Sequence, residues 1–303
     1  YKLMVLEYNI ISMNNKKCLT GIRPTNALHI GNIFGSLDRM KQINGYDLFI
    51  MGADLHSTTE YKVFNVINTF KTFLAILGEQ QNVYMYLQSH IKDIGNLAFM
   101  LSAHCSVGQL QRMTQFKSKD NAHGGFLFYP LLMCADILIL DTDLLVVGKD
   151  QKQHVEFARD IGIHVNKYFK ADIFNIPKIH IEDTIQIQDL QDNSKKMSKT
   201  TDNPIGTIFI NDGIELINKK ISRAKTDSLL MPEDILSIEH SRPEIFNLCN
   251  IYRCVSHLSF KYIEKTYSNQ NISIFKKDLI DITNNFINNL NQNILNIDDS
   301  DVI

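Results

Sequence analysis

Apolar residues along the first two-thirds of the chain follow two alternating patterns. Short, nearly unbroken apolar runs at 47–51, 83–87 and 144–147 have the length and composition of buried strands. Around these runs, apolar residues recur at helical spacing over 30–43 and 63–77, and each segment is followed by a glycine that can end a helix. Alternating apolar strands and helices predict a parallel sheet covered by helices, which is the α/β class.

The pattern changes after about residue 205. Strand-like runs disappear, Asn, Lys and Ile become frequent, and one long segment carries a helical stripe of apolar residues: Phe275, Leu279, Ile282, Phe286 and Leu290. The sequence therefore predicts an α/β domain over 1–205, in which 1–16 form a poorly ordered extension or an edge element. A smaller, all-helical domain is predicted over 206–303.

Composition narrows the class of protein without assigning a function. The 303 residues carry a net charge of −2 and 44% are hydrophobic, which excludes wholesale disorder and a collagen-like rod. The longest apolar stretch, 131–139, is broken by Asp136 and is too short to cross a membrane, so a soluble protein is predicted. Five scattered cysteines form no C-x-x-C pair, and we therefore predict reduced thiols and no structural metal.

The segment 20–32, Thr-Gly-Ile-Arg-Pro-Thr-Asn-Ala-Leu-His-Ile-Gly-Asn, joins a predicted strand to a helix. Its first glycine and Pro24 favour a tight turn, and His29 and Asn32 fall in the first turn of the helix. Free N–H groups at a helix N-terminus suit a triphosphate, and Gly31 would let a flat ring such as adenine approach the backbone. The alternative is a capped helix with a surface histidine.

A second polar segment, Lys195-Lys-Met-Ser-Lys-Thr-Thr-Asp202, has the composition of a mobile loop. Lys196 and Lys199 bracket a hydroxyl residue, and such a pair can clamp polyphosphate oxygens. A solvated, lysine-rich surface loop is the alternative. Together, the H-I-G-N turn and the K-M-S-K-T loop resemble the paired signatures of class I aminoacyl-tRNA synthetases, which activate an amino acid with ATP and transfer it to tRNA.

A third segment narrows the resemblance. It reads Phe128-Tyr-Pro-Leu-Leu-Met-Cys-Ala-Asp-Ile-Leu-Ile-Leu-Asp-Thr-Asp143 and continues with Val146-Val-Gly-Lys-Asp-Gln-Lys-Gln-His154. Both stretches resemble tryptophanyl-tRNA synthetases of the bacterial and organellar type, whereas tyrosyl-tRNA synthetases usually carry G-x-S-D-Q after the same strand. The resemblance implies a Rossmann-like catalytic domain, a helical domain that binds the tRNA anticodon, and a homodimer.

The activity that the resemblance implies is that of a tryptophan–tRNA ligase. L-Tryptophan and ATP, which carries Mg²⁺, would give tryptophanyl-adenylate and pyrophosphate, and tryptophan would then pass to the 3′ end of tRNA(Trp). Two alternatives stay open: a tyrosine-specific relative, and a paralogue that binds tryptophan and nucleotide without charging tRNA. The expected location is cytoplasmic in a bacterial-type cell, or an organelle if a targeting segment precedes Tyr1.

The resemblance also assigns roles to individual residues. Tyr129 and Gln151 would hold the amino group of tryptophan, and the other residues implied around the amino acid are Asp136, Met133, His56, Leu145, Val147 and Leu19. The residues implied at ATP are Arg23, Pro24, Thr25, His29, Gly31, Asn32, Gly148, Lys149, Asp150, Ile187, Lys196, Met197, Ser198, Lys199 and Thr200. The implied catalytic residues, whose lysines would neutralise charge on the departing pyrophosphate, are Lys119, Lys196, Lys199 and Asn32.

Asp136 supports the tryptophan assignment on physical grounds. A carboxylate in an apolar run is costly to bury without a hydrogen-bond donor, and the indole N–H of tryptophan is only a donor. A site built around that hydrogen bond rejects ligands that lack the donor. Without the resemblance, a hydrogen bond to Asp136 from a neighbouring helix, Arg or Lys is an equal alternative.

The helical region offers one candidate surface for tRNA. A basic cluster is formed in sequence by Lys219, Lys220, Arg223 and Lys225. A local cationic patch suffices for nucleic-acid binding even when the net charge is near zero. A solvated helix face is the alternative.

Overall fold

Five parallel strands form the sheet in the described part of the chain. The computed structural model describes residues 15–24, 28–37, 43–58, 65–78, 82–117, 123–148, 151–181, 186–198 and 203–299. The strands are β1 (Lys16–Ile22), β2 (Tyr46–Gly52), β3 (Val83–Leu87), β4 (Leu144–Val147) and β5 (Lys178–Ile181). Their order is β3-β2-β1-β4-β5, so the direction of the chain across the sheet reverses between β1 and β4. In such sheets, ligands bind at the carboxyl ends of the two strands where the order reverses.

Helices cover the sheet and predominate in the described chain after residue 203. The first eight are α1 (Ile30–Asn32), α2 (Asp54–Ser57), α3 (Val66–Leu77), α4 (Ile94–Ser102), α5 (Val107–Gln111), α6 (Thr114–Lys117), α7 (Gly124–Leu138) and α8 (Lys152–Phe169). After residue 203 follow α9 (Ile214–Ser222), α10 (Pro243–Ser256), α11 (Phe260–Tyr267) and α12 (Ile272–Leu295). A π-helical turn, Ile33–Leu37, extends α1, and short 3₁₀ turns span Gln88–His90, Pro204–Gly206 and Leu236–Ile238.

The predicted α/β class and parallel sheet are confirmed. The three predicted apolar runs lie in β2, β3 and β4, and each pairs with its neighbour in parallel. The sequence pattern does not predict β5, because four residues with a lysine at one end and a histidine inside form no apolar run. The helix predicted over 30–43 is described as far as Leu37, and the helix predicted over 63–77 is described from Val66.

Side chains of the sheet alternate between its two faces, as the strand period of two requires. On one face, Leu19, Phe49 and Leu145 pack with α4, α7 and α8 in one buried cluster. On the other face, Cys18 and Val146 pack with the phenylalanines of α3. The leucines predicted to border tryptophan therefore lie on the α7 side of the sheet.

A third buried cluster joins the helices after residue 203 to the turn that follows β1. The apolar stripe predicted along α12 is confirmed, since Phe275, Leu279 and Leu290 are buried. The same cluster includes Ile30 and Phe34 from the H-I-G-N region. The helical region and this turn thus share one core, and the domain boundary between 205 and 206 stays a prediction.

Within the described residues, membrane-spanning helices, clusters of metal ligands and disulfides are all absent. None of the helices there is long and apolar enough to cross a membrane. No group of three or more His, Cys, Asp or Glu in those residues is placed to hold a metal ion. None of the five cysteines, all of which lie in described segments, forms a disulfide. Burial raises the pKa of Cys18 and of Cys249 to about 12, so both thiols stay protonated at neutral pH.

An ion pair at Arg242 makes the stability of the helical region depend on pH. The guanidinium donates to both carboxylate oxygens of Asp227, with Nε–Oδ2 2.7 Å and Nη2–Oδ1 2.8 Å. These hydrogen bonds, aided by one from the Leu229 N–H, lower the pKa of Asp227. Since the folded-state pKa lies below the unfolded value of about 3.9, the stabilisation is present above that pH and is lost as the pH falls through the folded pKa.

We expect the urea midpoint of the wild-type protein to fall more between pH 7 and pH 3 than that of Asp227→Asn, which already lacks the ion pair. Asp172→Asn, at an exposed carboxylate beyond α8, is the control and should follow the wild-type curve. Equal losses in the wild type and in Asp227→Asn would contradict this assignment.

Candidate active site

The carboxyl ends of β1 and β4 bring together several residues predicted at ATP. Arg23 and Pro24 directly follow β1, and Gly148 directly follows β4. The Thr20 hydroxyl ties the two strands at this end, because it donates to a backbone carbonyl of β4 at 3.1 Å. Gln151, predicted at the amino group of tryptophan, begins the next turn, and its N–H donates to the Gly148 carbonyl at 2.9 Å. These residues lie at the crevice that the strand order defines.

The H-I-G-N turn is shaped by its own side chains. His29 is only 4% exposed and lies at the N-cap of α1. Its N–H donates to Oδ1 of Asn32 at 3.1 Å, and the Asn32 N–H donates to the His29 carbonyl at 2.8 Å. Asn32 therefore fixes the geometry of this turn, and its catalytic role stays a prediction.

Gly31 leaves room that another residue would fill. A methyl group at this position would lie 2.9 Å from Nδ1 of His29 and 3.6 Å from Cβ of Ile187. Ile187 is buried in the core that also contains Leu28 and Ile30. Ile187, which is predicted at ATP and is distant in sequence from His29 and Gly31, thus lies close to Gly31 in space.

The lysine loop is attached to Ile187 by backbone pairing. The Met197 N–H donates to the Ile187 carbonyl at 3.0 Å, and Lys196 forms an antiparallel bridge with Gln188. The Met197 side chain is buried in the core, whereas Lys196 is exposed. Met197 therefore anchors the loop, and Lys196 is free to reach a ligand in solvent. The predicted ATP contacts of these residues and of Ser198 stay predictions.

At the base of the same loop, Gly206 packs closely against the buried carboxylate of Asp189. A methyl group at Gly206 would lie 2.0 Å and 2.1 Å from the two oxygens of Asp189. Oδ1 of Asp189 accepts hydrogen bonds from the backbone N–H groups of Gln191 and Asp192 at 2.8 Å and 3.1 Å. Thr207, which is fully buried, donates from its hydroxyl to the carbonyl of Ser198 at 3.3 Å. Both ends of the loop are thus fixed.

One face of α7 carries the residues predicted at tryptophan. Tyr129, Met133 and Asp136 are spaced four and three residues apart, which places them on one side of the helix. Asp136 is 2% exposed, and the other two are partly buried. Met133 packs against the cluster that contains Leu19 and Leu145, and Val147 packs against the same cluster. The structure therefore gathers these residues between α7 and the sheet.

Asp136 is held by two side chains that converge on it. Gln88 donates from Nε2 to both carboxylate oxygens at 2.8 Å and 3.0 Å, and His56 donates from Nε2 to Oδ2 at 2.9 Å. The backbone N–H of His56 in turn donates to Oε1 of Gln88 at 3.3 Å, which fixes the orientation of the Gln88 side-chain amide. Burial and then the charge of Asp136 raise the pKa of Tyr86. A carboxylate accepts about four hydrogen bonds, so this arrangement leaves capacity for a further donor.

Aromatic rings line the approach to this carboxylate. The rings of His56 and Tyr129 lie 4.2 Å apart between centroids, and Tyr129 meets the ring of His154 edge to face at 5.7 Å. Sequence reasoning assigned no role to Gln88 or His154. The available signals were the position of Gln88 directly after β3 and the place of His154 at the end of the G-K-D-Q-K-Q-H stretch.

Six residues predicted at the site fall outside the described ranges: Thr25, Lys119, Lys149, Asp150, Lys199 and Thr200. Their assigned roles stay predictions. The residues directly before three of these gaps, Pro24, Gly148 and Ser198, are described.

The prediction of a four-residue cationic patch is wrong for Lys220. That side chain is 1% exposed and lies one helical turn from Ile217, on the buried side of α9. Its amino group lies 2.6 Å from Oδ2 of Asp212. Lys219 and Arg223 are exposed, as is Lys225, whose amino group lies 3.7 Å from a carboxylate of the helical region.

A parallel sheet whose strand order reverses between β1 and β4, an H-I-G-N turn and a K-M-S-K loop together define a class I tRNA synthetase. The family model of class I tRNA synthetases for tryptophan and tyrosine ("W and Y") matches residues 13–288, and the chain belongs to this family. The tryptophan–tRNA ligase of Malacoplasma penetrans is 39% identical over 283 residues, which cover 88% of this chain and 83% of that protein. That of Rickettsia felis is 39% identical over 279 residues, covering 88% and 84%.

Solved structures give the same result. The tryptophanyl-tRNA synthetase from Mycoplasma pneumoniae superposes with a TM-score of 0.83 at 31% identity, covering 95% of this chain and 90% of that one. The enzyme from Campylobacter jejuni, complexed with ADP and tryptophan, superposes with a TM-score of 0.74 at 28% identity, covering 92% and 88%. The sequence-based assignment to tryptophanyl-tRNA synthetases is confirmed at the level of the family.

Proposed function

We propose that this chain is a tryptophan–tRNA ligase that forms tryptophanyl-adenylate from L-tryptophan and ATP and then charges tRNA(Trp). The observation that carries the proposal is Asp136, a buried carboxylate that Gln88 and His56 hold on the same helix face as Tyr129. An indole N–H can complete the hydrogen bonding of such a carboxylate, and the phenylalanine side chain cannot.

The reaction requires no covalent enzyme intermediate. A carboxylate oxygen of tryptophan attacks the α-phosphorus of ATP, which enters as its magnesium complex. A new O–P bond forms, and the bond to the β-phosphate oxygen breaks with release of pyrophosphate. The protein contributes by orienting the two substrates and by stabilising the charge that develops. In the proposed arrangement, adenosine lies at Gly31 and Ile187, and Lys196 approaches the phosphates.

The proposal is tested by tryptophan-dependent exchange of labelled pyrophosphate into ATP, with tyrosine in a parallel reaction. Exchange with tryptophan alone supports the proposal. Exchange with tyrosine alone would refute it in favour of the tyrosine-specific relative. No exchange with either amino acid, in protein that binds ATP, would refute it in favour of a binding paralogue.

A comparison of two adjacent lysines tests whether Lys196 contacts the phosphates of ATP or only adds positive charge to the surface. Lys196 and Lys195 are both exposed, but Lys195 forms an ion pair with Asp192 at 3.0 Å. We expect Lys196→Ala to slow pyrophosphate exchange about tenfold, because solvent weakens the stabilisation that an exposed lysine gives the departing pyrophosphate. Lys195→Ala is the matched control and should remain near the wild-type rate. Equal rates for the two variants would count against Lys196.

The helical region over 206–303 is proposed to contact the anticodon arm of tRNA(Trp), and the α/β region over 1–205 to carry out activation. The exposed cations that suit this contact are Lys219 on α9, Arg223 directly after that helix, and Lys261 and Lys265 on α11. Phosphate contacts of this kind weaken as salt is added. Since charging takes place where translation does, we propose a cytoplasmic location in a bacterial-type cell.

A second copy of the chain is proposed to cover an apolar surface on α4 and α8. Phe99, Met100 and Tyr168 are 74%, 67% and 67% exposed, and Phe169 is 55% exposed. The ring of His104, just after α4, lies 5.5 Å from that of Tyr168, so α4 and α8 contribute to one continuous patch. Exposed apolar clusters of this kind are typical of protein interfaces.

We expect a dimer in sedimentation-velocity measurements on the wild-type protein, and a monomer for Phe99→Glu combined with Tyr168→Glu, because buried charges of the same sign would oppose association. Tyr262→Glu, at an exposed tyrosine of α11, is the control and should sediment like the wild type. A wild-type monomer, or a double variant that still dimerises, would exclude this surface.

A further inference from the structure

A buried ion pair lies between the helical region and the H-I-G-N turn, and no step of the proposed reaction uses it. Lys220 is 1% exposed on α9, and its amino group lies 2.6 Å from Oδ2 of Asp212. Burying such a pair adds little net stability, because both charges lose their hydration. The presence of this buried ion pair is therefore better explained by its contacts with the neighbouring residues that it positions.

Both members of the pair contact Phe209. Oδ2 of Asp212 accepts a hydrogen bond from the Phe209 N–H at 2.8 Å. The amino group of Lys220 lies 5.0 Å from the centre of the Phe209 ring, within the range of cation–π attraction. The same ring meets the imidazole of His29 edge to face, with centroids 6.4 Å apart and an interplanar angle of 80°. One side chain thus links the ion pair to a residue predicted at ATP.

The backbone around Phe209 pairs with the backbone around His29. The two residues form an antiparallel bridge. On either side of it, the Ile30 N–H donates to the Ile208 carbonyl at 3.1 Å, and the Ile210 N–H donates to the Leu28 carbonyl at 3.0 Å. The entry into α1 therefore takes its position from a short segment whose central residue is fixed by Lys220 and Asp212.

We propose that Lys220 is a positioning residue for the nucleotide. Paired with Asp212, it holds Phe209 against His29 and so fixes the H-I-G-N turn from the helical region. The inference rests on the proposed function for the location of ATP. The tryptophan pocket is built on α7 and the sheet, which this linkage does not touch, so the two substrates should respond differently to its loss.

The test compares Lys220 with an exposed lysine of the same helical region. Lys220→Met keeps most of the side-chain volume and removes the charge, and Lys277→Met makes the same change at an exposed position on α12. The affinity for ATP is measured by calorimetry. Tryptophan binding is followed by the ligand's own fluorescence, because the chain contains no tryptophan residue. We expect Lys220→Met to weaken ATP binding about tenfold while tryptophan binding stays within about twofold, and Lys277→Met to change neither.

Equal losses for both substrates, or an unchanged affinity for ATP, would overturn the proposal, since a purely structural role would not separate them. If Lys220→Met does not fold because Asp212 is left unpaired, Lys220→Met with Asp212→Asn decides instead. In that double variant, weaker ATP binding with unchanged tryptophan binding supports the role, and wild-type affinity for ATP overturns it. Absence of tryptophan-dependent exchange in the wild type would refute the proposed function alone, because calorimetry with ATP reports on the linkage without amino-acid activation. A wild type that binds no ATP would overturn both.

Discussion

Asp136→Asn is expected to raise the dissociation constant of tryptophan about 100-fold, which is about 2.8 kcal/mol. The substitution keeps the shape of the side chain but replaces one acceptor oxygen by an NH₂ group. Gln88 and His56 both donate to the carboxylate, so an amide would set donor against donor in a fully buried position. The single remaining oxygen cannot serve both protein donors and the indole N–H.

The loss of affinity can be measured from the fluorescence of bound tryptophan, and discrimination from pyrophosphate exchange with tryptophan, tyrosine and phenylalanine. Asp141→Asn is the matched control, because Asp141 is partly exposed and its positive φ of 52° is one that Asn readily adopts. An unchanged preference for tryptophan in Asp136→Asn would remove the indole contact from the proposal. Gln88→Leu should give an intermediate loss, since His56 would remain as the only one of these two donors.

Gly206→Ala is expected to lower the free energy of unfolding by about 2–4 kcal/mol and to abolish most of the exchange activity. The added methyl group would overlap both oxygens of Asp189, so this buried carboxylate must leave its position. Its two backbone hydrogen bonds would then be lost. The hydrogen bond from the Leu190 N–H to the Gly206 carbonyl, now 2.9 Å, would be strained as well. Because these contacts fix the lysine loop, Lys196 would lose its position along with them.

Gly213→Ala provides the control for Gly206→Ala. A methyl group at Gly213 meets no described atom within 4 Å, and the residue has an ordinary φ of −73°. Combining Gly206→Ala with Asp189→Ala removes the overlapping carboxylate and should recover part of the stability. A single variant Gly206→Ala with a wild-type urea midpoint would contradict the close approach described for Asp189.

The parts of the fold that could be predicted from sequence are those in which one strong local signal repeats. β2, β3 and β4 are apolar along their length, and the stripe of α12 recurs over several turns. β5 has only four residues, and its place at the sheet edge comes from pairing with β4, a partner more than thirty residues earlier. Local pattern therefore does not distinguish it from a loop.

The residues of the candidate site divide in the same way, into those that have a local sequence signal and those that have none. Asp136 is conspicuous as a carboxylate within an apolar run, and its surroundings could be inferred from its neighbours. Gln88 follows a strand without any periodic signal, and its partner lies 48 residues later in the chain. Lys220 was predicted to lie in a surface patch because three other basic residues are close in sequence. Its burial depends on Asp212 and on the rotation of α9, which only the packed structure determines.

Because the H-I-G-N turn and the helices after residue 203 share one core, the chain cannot be cut between them without exposing that core. Ile30 and Phe34 pack in the same cluster as residues of α10 and α12. A fragment ending near residue 205 would expose these side chains to water and lose the segment that pairs with His29. The helices that are proposed to read tRNA therefore also support the turn at which we propose that the nucleotide binds, so replacing them with another recognition module would require a new core behind that turn.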